Sequence, residues 1–265
     1  MKQALTPTRK VAYAAMLIGV YIVSTRLLGL AQAGPMFSFN RLGIGIAVII
    51  FASLFLGPGF GVLVGVAGDA LGWVLLGQWT GAFNIYISLF YALIGVLPWL
   101  LQKAVGKYLN KRYSIPIFIT LFSLIFAAFL LYFWLGTGFD SSFVKWGLDV
   151  FWSKVFVTVL SSVLFLLTLV ALFFLVRKKR EGAEIGTIAW HCLAVEVVTI
   201  FVKPLAFYLY CLTFLGTDIE TAWRVSYATL LLLSFLFSFA DILINIVALR
   251  LLAWVSDVAT PRSYS

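Results

Sequence analysis

The chain has 265 residues, 63% of them apolar and 11% charged, with a mean hydropathy of +1.08. Those values exclude an ordinary soluble domain and point to a chain built for lipid. The net charge of +9 would indicate nucleic acid only if it formed one patch. It is spread over the loops between apolar runs, so no nucleic-acid partner is expected.

Apolar runs place helices at 11–30, 42–56, 60–77, 84–102, 115–135, 148–176, 187–214 and 225–254. The predicted fold is all-α: one polytopic transmembrane bundle of about eight helices over residues 1–265, surrounded by a lipid bilayer. Before the first helix stand Lys2, Arg9 and Lys10, and after it Ala31-Gln32-Ala33. That order superficially matches a cleaved signal peptide, and Arg26 between the apolar run and the small residues argues against it. Ala12, Ala15 and Gly19 form a small-residue strip on one face of this helix, a surface on which another helix can pack closely.

The second and third helices are predicted to be short; 42–56 covers only ~22 Å, against a hydrocarbon thickness of ~30 Å. Gly57-Pro58-Gly59 is a tight turn between them. Gly61, Gly65, Gly68 and Gly72 then line up at helical spacing beside one carboxylate, Asp69. Each glycine sacrifices helix propensity, which is useful where another helix must approach the backbone. Asp69 is expected to need a partner in lipid and to serve packing and positioning. Phe37-Ser38-Phe39-Asn40-Arg41 and Gln78-Trp79-Thr80-Gly81-Ala82-Phe83-Asn84 flank this pair. Two readings of these loops are open. They are interfacial belts, or their aromatic rings stack on a flat heterocycle while Asn40, Arg41, Gln78 and Asn84 take its polar edge.

Glu196, Lys203 and Asp241 also fall inside predicted helices, with Asn245 one turn beyond Asp241. Either they form a buried network that fixes the last two helices, or Lys203 faces an outward cavity and binds an anionic group. Pro204, which removes a helix donor, fits a polar space beside Lys203.

Loop charge sets the orientation. With both termini inside, thirteen basic residues lie inside and five outside (Arg26, Arg41, Lys145, Lys154 and Arg224), a positive-inside bias. Trp99, Trp134, Trp146, Trp152, Trp190, Trp223 and Trp254 fall near predicted helix ends, as interfacial belts require. Cys192 and Cys211 lie roughly 28 Å apart along one helix, too far for a disulfide. The chain carries no GxxxxGK[ST] loop, so it is not its own ATPase by that route. His191 is the sole histidine, without a Cys/His cluster around it, so no metal site is expected. It is read as an interfacial or core residue.

Taken together, the small strip at Ala15 and Gly19, Phe39-Asn40-Arg41-Leu42-Gly43, the turn Gly57-Pro58 with Gly61, Gly65, Asp69 and Gly72, and Phe83-Asn84 through Gly95 to Pro98 carry a resemblance over about residues 11–102. The chain resembles the substrate-binding S component of an energy-coupling factor (ECF) vitamin or micronutrient importer. Tyr208-Leu209-Tyr210 to Gly216, with Arg224 and the last helix, is more loosely similar to folate-type members. The resemblance implies a six-helix core, here with 115–176 inserted as two extra helices and 187–254 as the last two core helices. It implies no enzymatic activity and no cofactor. Asn40, Arg41, Gln78, Trp79, Asn84, Lys203 and Arg224 would contact a vitamin-like substrate from outside. Ala12, Ala15 and Gly19 would dock on a scaffold membrane subunit driven by two cytoplasmic ATPases, in a bacterial plasma membrane. Two further classes are weighed beside it: a self-contained secondary transporter relaying protons through Asp69, Glu196 and Asp241, and an intramembrane lipid-modifying enzyme, for which no clustered His/Asp or Arg/Asp motif is visible.

Overall fold

A computed structural model describes residues 6–27, 44–76, 83–109, 114–136, 140–145, 147, 149–176, 182–217 and 227–259. Every regular element among them is a helix. In chain order these are α1 (Pro7–Ile22, continued by a π-helical turn Val23–Leu27), α2 (Gly45–Phe55), α3 (Pro58–Leu76), α4 (Ile85–Leu109), α5 (Ser114–Leu135), α6 (Asp140–Lys145), α7 (Val150–Val176), α8 (Gly182–Tyr210, with a π-helical turn Cys211–Leu215) and α9 (Tyr227–Ala259). The protein is an all-α polytopic membrane bundle. Six of these helices, α3, α4, α5, α7, α8 and α9, are long and apolar enough to cross a membrane.

The helices fall where hydropathy places them, with shifted ends. Helix α4 runs on to Leu109 and α8 starts at Gly182, because their charged and polar end turns stay helical beyond the apolar stretch. Helix α3, predicted short, has 19 residues and is long and apolar enough to span. Helix α2 is a half-length apolar helix of 11 residues, or ~16 Å.

Short α2 is the centre of the bundle. Ala47, Val48, Ile49 and Ile50 are fully buried, which a helix reaches only when neighbours surround it. It packs against α1, α3, α4, α8 and α9. The most extensive contact is α3 on α4. There a side chain at Gly61 would meet the Gly95 carbonyl oxygen, and one at Gly65 would lie 2.9 Å from the Tyr91 carbonyl oxygen. One at Gly68 would lie 2.5 Å from the Tyr21 ring of α1. The glycine row therefore serves close approach on two sides. The turn before it needs glycine for another reason. Gly57 has φ +111°, which L side chains resist, and its carbonyl accepts from Phe60 and Gly61.

Helices α5 and α7 pack on α8, α9 and each other. A phenylalanine stripe holds them there. Phe126 stacks on Phe165 of α7 at 4.3 Å, Phe129 stacks on Phe235 of α9 at 4.0 Å, and Phe118 meets Trp190 of α8 edge-on. Thr168 donates to the Phe239 carbonyl, tying α7 to α9.

One charge is misplaced by the sequence reading. Lys154, assigned to an outside loop, is buried in the first turns of α7. Its Nζ lies 2.8 Å from Asp140 Oδ1 and donates to the Gly136 carbonyl at 3.3 Å, so a paired ammonium replaces a hydrated one. Trp134, Trp152 and Trp254 are exposed near helix ends, and Lys103 sits 5.0 Å over the Trp99 ring. Trp79, Trp146 and Trp223 lie outside the described residues. Cys192 and Cys211 are buried, and they are not joined in a disulfide.

Candidate functional site

A helix that starts inside a membrane bundle presents amide N–H groups with no partner of their own. Helix α2 does this, and its N-cap residue, Ile44, supplies no side-chain acceptor. The acceptor comes from α9: the Ala47 N–H donates to Asn245 Oδ1 at 3.0 Å. Asn245 Nδ2 in turn donates to Glu196 Oε1 of α8 at 3.5 Å. Asn245 and Glu196 are both almost completely buried. Glu196 is about 21 Å along α8 from Gly182, close to that helix's midpoint.

Two further charges act on this carboxyl group. Asp241 of α9 and Lys203 of α8 are the ionisable groups whose fields reach Glu196. Lys203 is half-buried, and Pro204 beside it is buried inside the helix. The arrangement thus joins three helices: a half-helix N-terminus, an amide, a carboxyl group, a second acid and one ammonium. Among the described residues no group of three or more His, Cys, Asp or Glu side chains could hold a metal ion.

Comparison with known protein-family models, curated proteins and solved structures yields no match.

Of the residues singled out from sequence, Asn40, Arg41, Gln78, Trp79 and Arg224 lie outside the described residues. Asn84 is described, and its Oδ1 caps α4 by accepting from the Tyr86 and Ile87 N–H groups. Its Nδ2 is buried without a hydrogen bond among the described residues. Around that end of the bundle, Trp73 lies against Phe83, Tyr86 against Phe214 and Tyr208 against Tyr227. An aromatic rim therefore stands where the flanking loops leave.

Asp69 accepts from Ser88 Oγ at 2.7 Å, both groups buried, which makes it a cross-link between α3 and α4. Ala12, Ala15 and Gly19 face outward on α1, while Ala14, Leu17 and Tyr21 face the core. A side chain at Gly19 would meet nothing within 4 Å. His191 is a core residue, with Nε2 3.0 Å from Gln102 Oε1 of α4.

Sequence reasoning found Glu196, Lys203, Asp241 and Asn245 but missed the bond from Asn245 to α2. The signals were there in part: a lone asparagine in an apolar helix, and a predicted helix too short to span. Which amide the asparagine would cap depends on tertiary packing that no local pattern encodes.

Proposed function

We propose that this chain is the substrate-capture subunit of an ATP-driven importer of the ECF type. It takes a water-soluble vitamin or related micronutrient from outside and delivers it with a scaffold membrane subunit and two cytoplasmic ATPases. The observation that carries this reading is the short helix α2, capped by Asn245 from the middle of α9 and preceded in sequence by Asn40 and Arg41. Broken helices at mid-membrane are where transport proteins build solute sites. Asn84 and the aromatic rim supply the flat, partly polar lining that a heterocycle needs. The outward small-residue face of α1 supports docking on a partner helix. Lys203 and Arg41 are the cations assigned to an anionic substrate group, with Gln78, Trp79 and Arg224 as further contacts. Both termini are assigned to the cytoplasmic side of a bacterial plasma membrane, an orientation that the charge bias between loops supports.

A second reading has its own observation. Glu196, buried at the middle of α8 and within the fields of Asp241 and Lys203, fits a proton-coupled transporter that works alone. Uptake in vesicles separates the two. ECF-type capture requires added scaffold and ATPase subunits, and uptake by the lone chain on a proton gradient would sink it.

A further inference from the structure

Helix α4 has 25 residues, ~37 Å of rise, about 7 Å more than the hydrocarbon layer of a bilayer. Its ends therefore reach the headgroup region. The last two turns carry Lys103 and Lys107, both exposed and one turn apart. Toward the middle of the helix, exposed Leu89, Leu93 and Leu100 continue the same face at helical spacing. The helix contains no acidic residue. Its C-terminus bears a partial charge of about −0.5, which two ammonium groups outweigh.

A lysine near a helix end ordinarily stretches its ammonium out to water. Lys103 does otherwise. Its Nζ lies 5.0 Å from the centroid of the Trp99 ring, one turn back toward the middle of the helix, the direction in which helical side chains lean. The ring face attracts the cation and holds it on the lipid side of the helix end. Lys107 stands one turn farther out.

Gln102 completes the face. It is exposed, and its Oε1 accepts from His191 Nε2 of α8 at 3.0 Å. Its amide nitrogen lies over Gly106, where a side chain would come within 2.8 Å of Nε2. Glycine at 106 thus lets the amide rest against the helix beside the two lysines.

We propose that this face of α4 binds an acidic phospholipid, its phosphodiester held by Lys103, Lys107 and Gln102 Nε2 and an acyl chain lying along Leu100, Leu93 and Leu89. Charge complementarity selects an anionic headgroup, since a zwitterionic lipid brings its own cation and gains less from two ammonium groups. The apolar track beneath the lysines selects a lipid over a free phosphate. The site stands independently of the importer reading, for it needs only a bundle seated in a bilayer.

The test is native mass spectrometry of the full chain released from nanodiscs holding phosphatidylglycerol and phosphatidylcholine in equal amounts. Thermal melts in detergent with either lipid or inorganic phosphate added accompany it. The wild type should retain phosphatidylglycerol and melt higher with it than with phosphatidylcholine or phosphate. Lys103→Gln and Lys107→Gln should each weaken retention about fivefold, and the double variant about thirtyfold. Trp99→Leu and Gln102→Leu should each cost about threefold. The Arg9→Gln/Lys10→Gln variant removes the same charge from α1 and should stay within about twofold of the wild type. Lipid-free melts report folding, and the single lysine variants decide the matter if the double one does not fold. Equal losses from the two double variants would mean diffuse attraction to a basic surface and would overturn the proposal. So would equal retention of both lipids, equal stabilisation by inorganic phosphate, or full retention without the lysines.

Discussion

Gly61 and Gly95 meet backbone to backbone where α3 crosses α4, so closely that a methyl group on either would strike the other helix's main chain. The extensive α3–α4 contact depends on this approach, which lets dispersion and packing act between helices that gain nothing from a hydrophobic effect in lipid. Gly61→Ala should therefore destabilise the bundle by about 1–3 kcal/mol. Gly59→Ala should change stability far less, since nothing lies within 4 Å of that position. Thermal unfolding in detergent separates them, and equal melting of the two variants would contradict the crossing.

Asp69 and Ser88 make the polar link across the same helix pair. Ser88→Ala leaves a buried carboxyl group without that donor and should cost about 1–3 kcal/mol. Asp69→Asn keeps an acceptor oxygen and should cost less. Because Asp69 is assigned to packing, neither variant that still folds should change the substrate affinity. A selective loss of binding with normal melting would move Asp69 into the site.

Lys154 is the buried member of its ion pair, with side-chain exposure of 10% against 32% for Asp140. Lys154→Met removes the ammonium from both Asp140 and the Gly136 carbonyl. It should lower stability by about 1–2 kcal/mol, the pair being worth less than a fully buried one because Asp140 is partly solvated. Asp140→Asn leaves the buried ammonium without its counter-charge, with only the bond to Gly136, and should cost more. The reverse order in thermal melts would show that the ammonium's own contacts, not its counter-charge, organise this end of α5, α6 and α7.

The outer face of α1 offers a contrasting test. Gly19→Leu adds a side chain where nothing stands, so the isolated protein should keep its stability within about 0.5 kcal/mol. If the face docks on a scaffold subunit, co-purification with that subunit should fall sharply. Unimpaired assembly would remove Ala12, Ala15 and Gly19 from the interface.

Hydropathy made the long helices legible because each carries its own apolar run, and the glycine row of α3 announced a close crossing before its partner was known. Pairing was not legible. Nothing local says that Gly61 meets Gly95, that Asn245 caps α2, or that Phe126 and Phe129 of α5 stack on α7 and α9. These contacts join residues far apart in the chain, and an apolar helix surface in lipid gives little clue to which side faces protein. Lys154 was misread for a related reason: its charge signals solvent until its partner Asp140 is known.

Substrate capture is the central claim, and native mass spectrometry of the full chain purified from membranes tests it most directly. The expected result is a single small molecule retained by the wild type and lost from Lys203→Ala, with expression and melting unchanged. A wild type that carries no small molecule, and that drives uptake alone on a proton gradient, would contradict it.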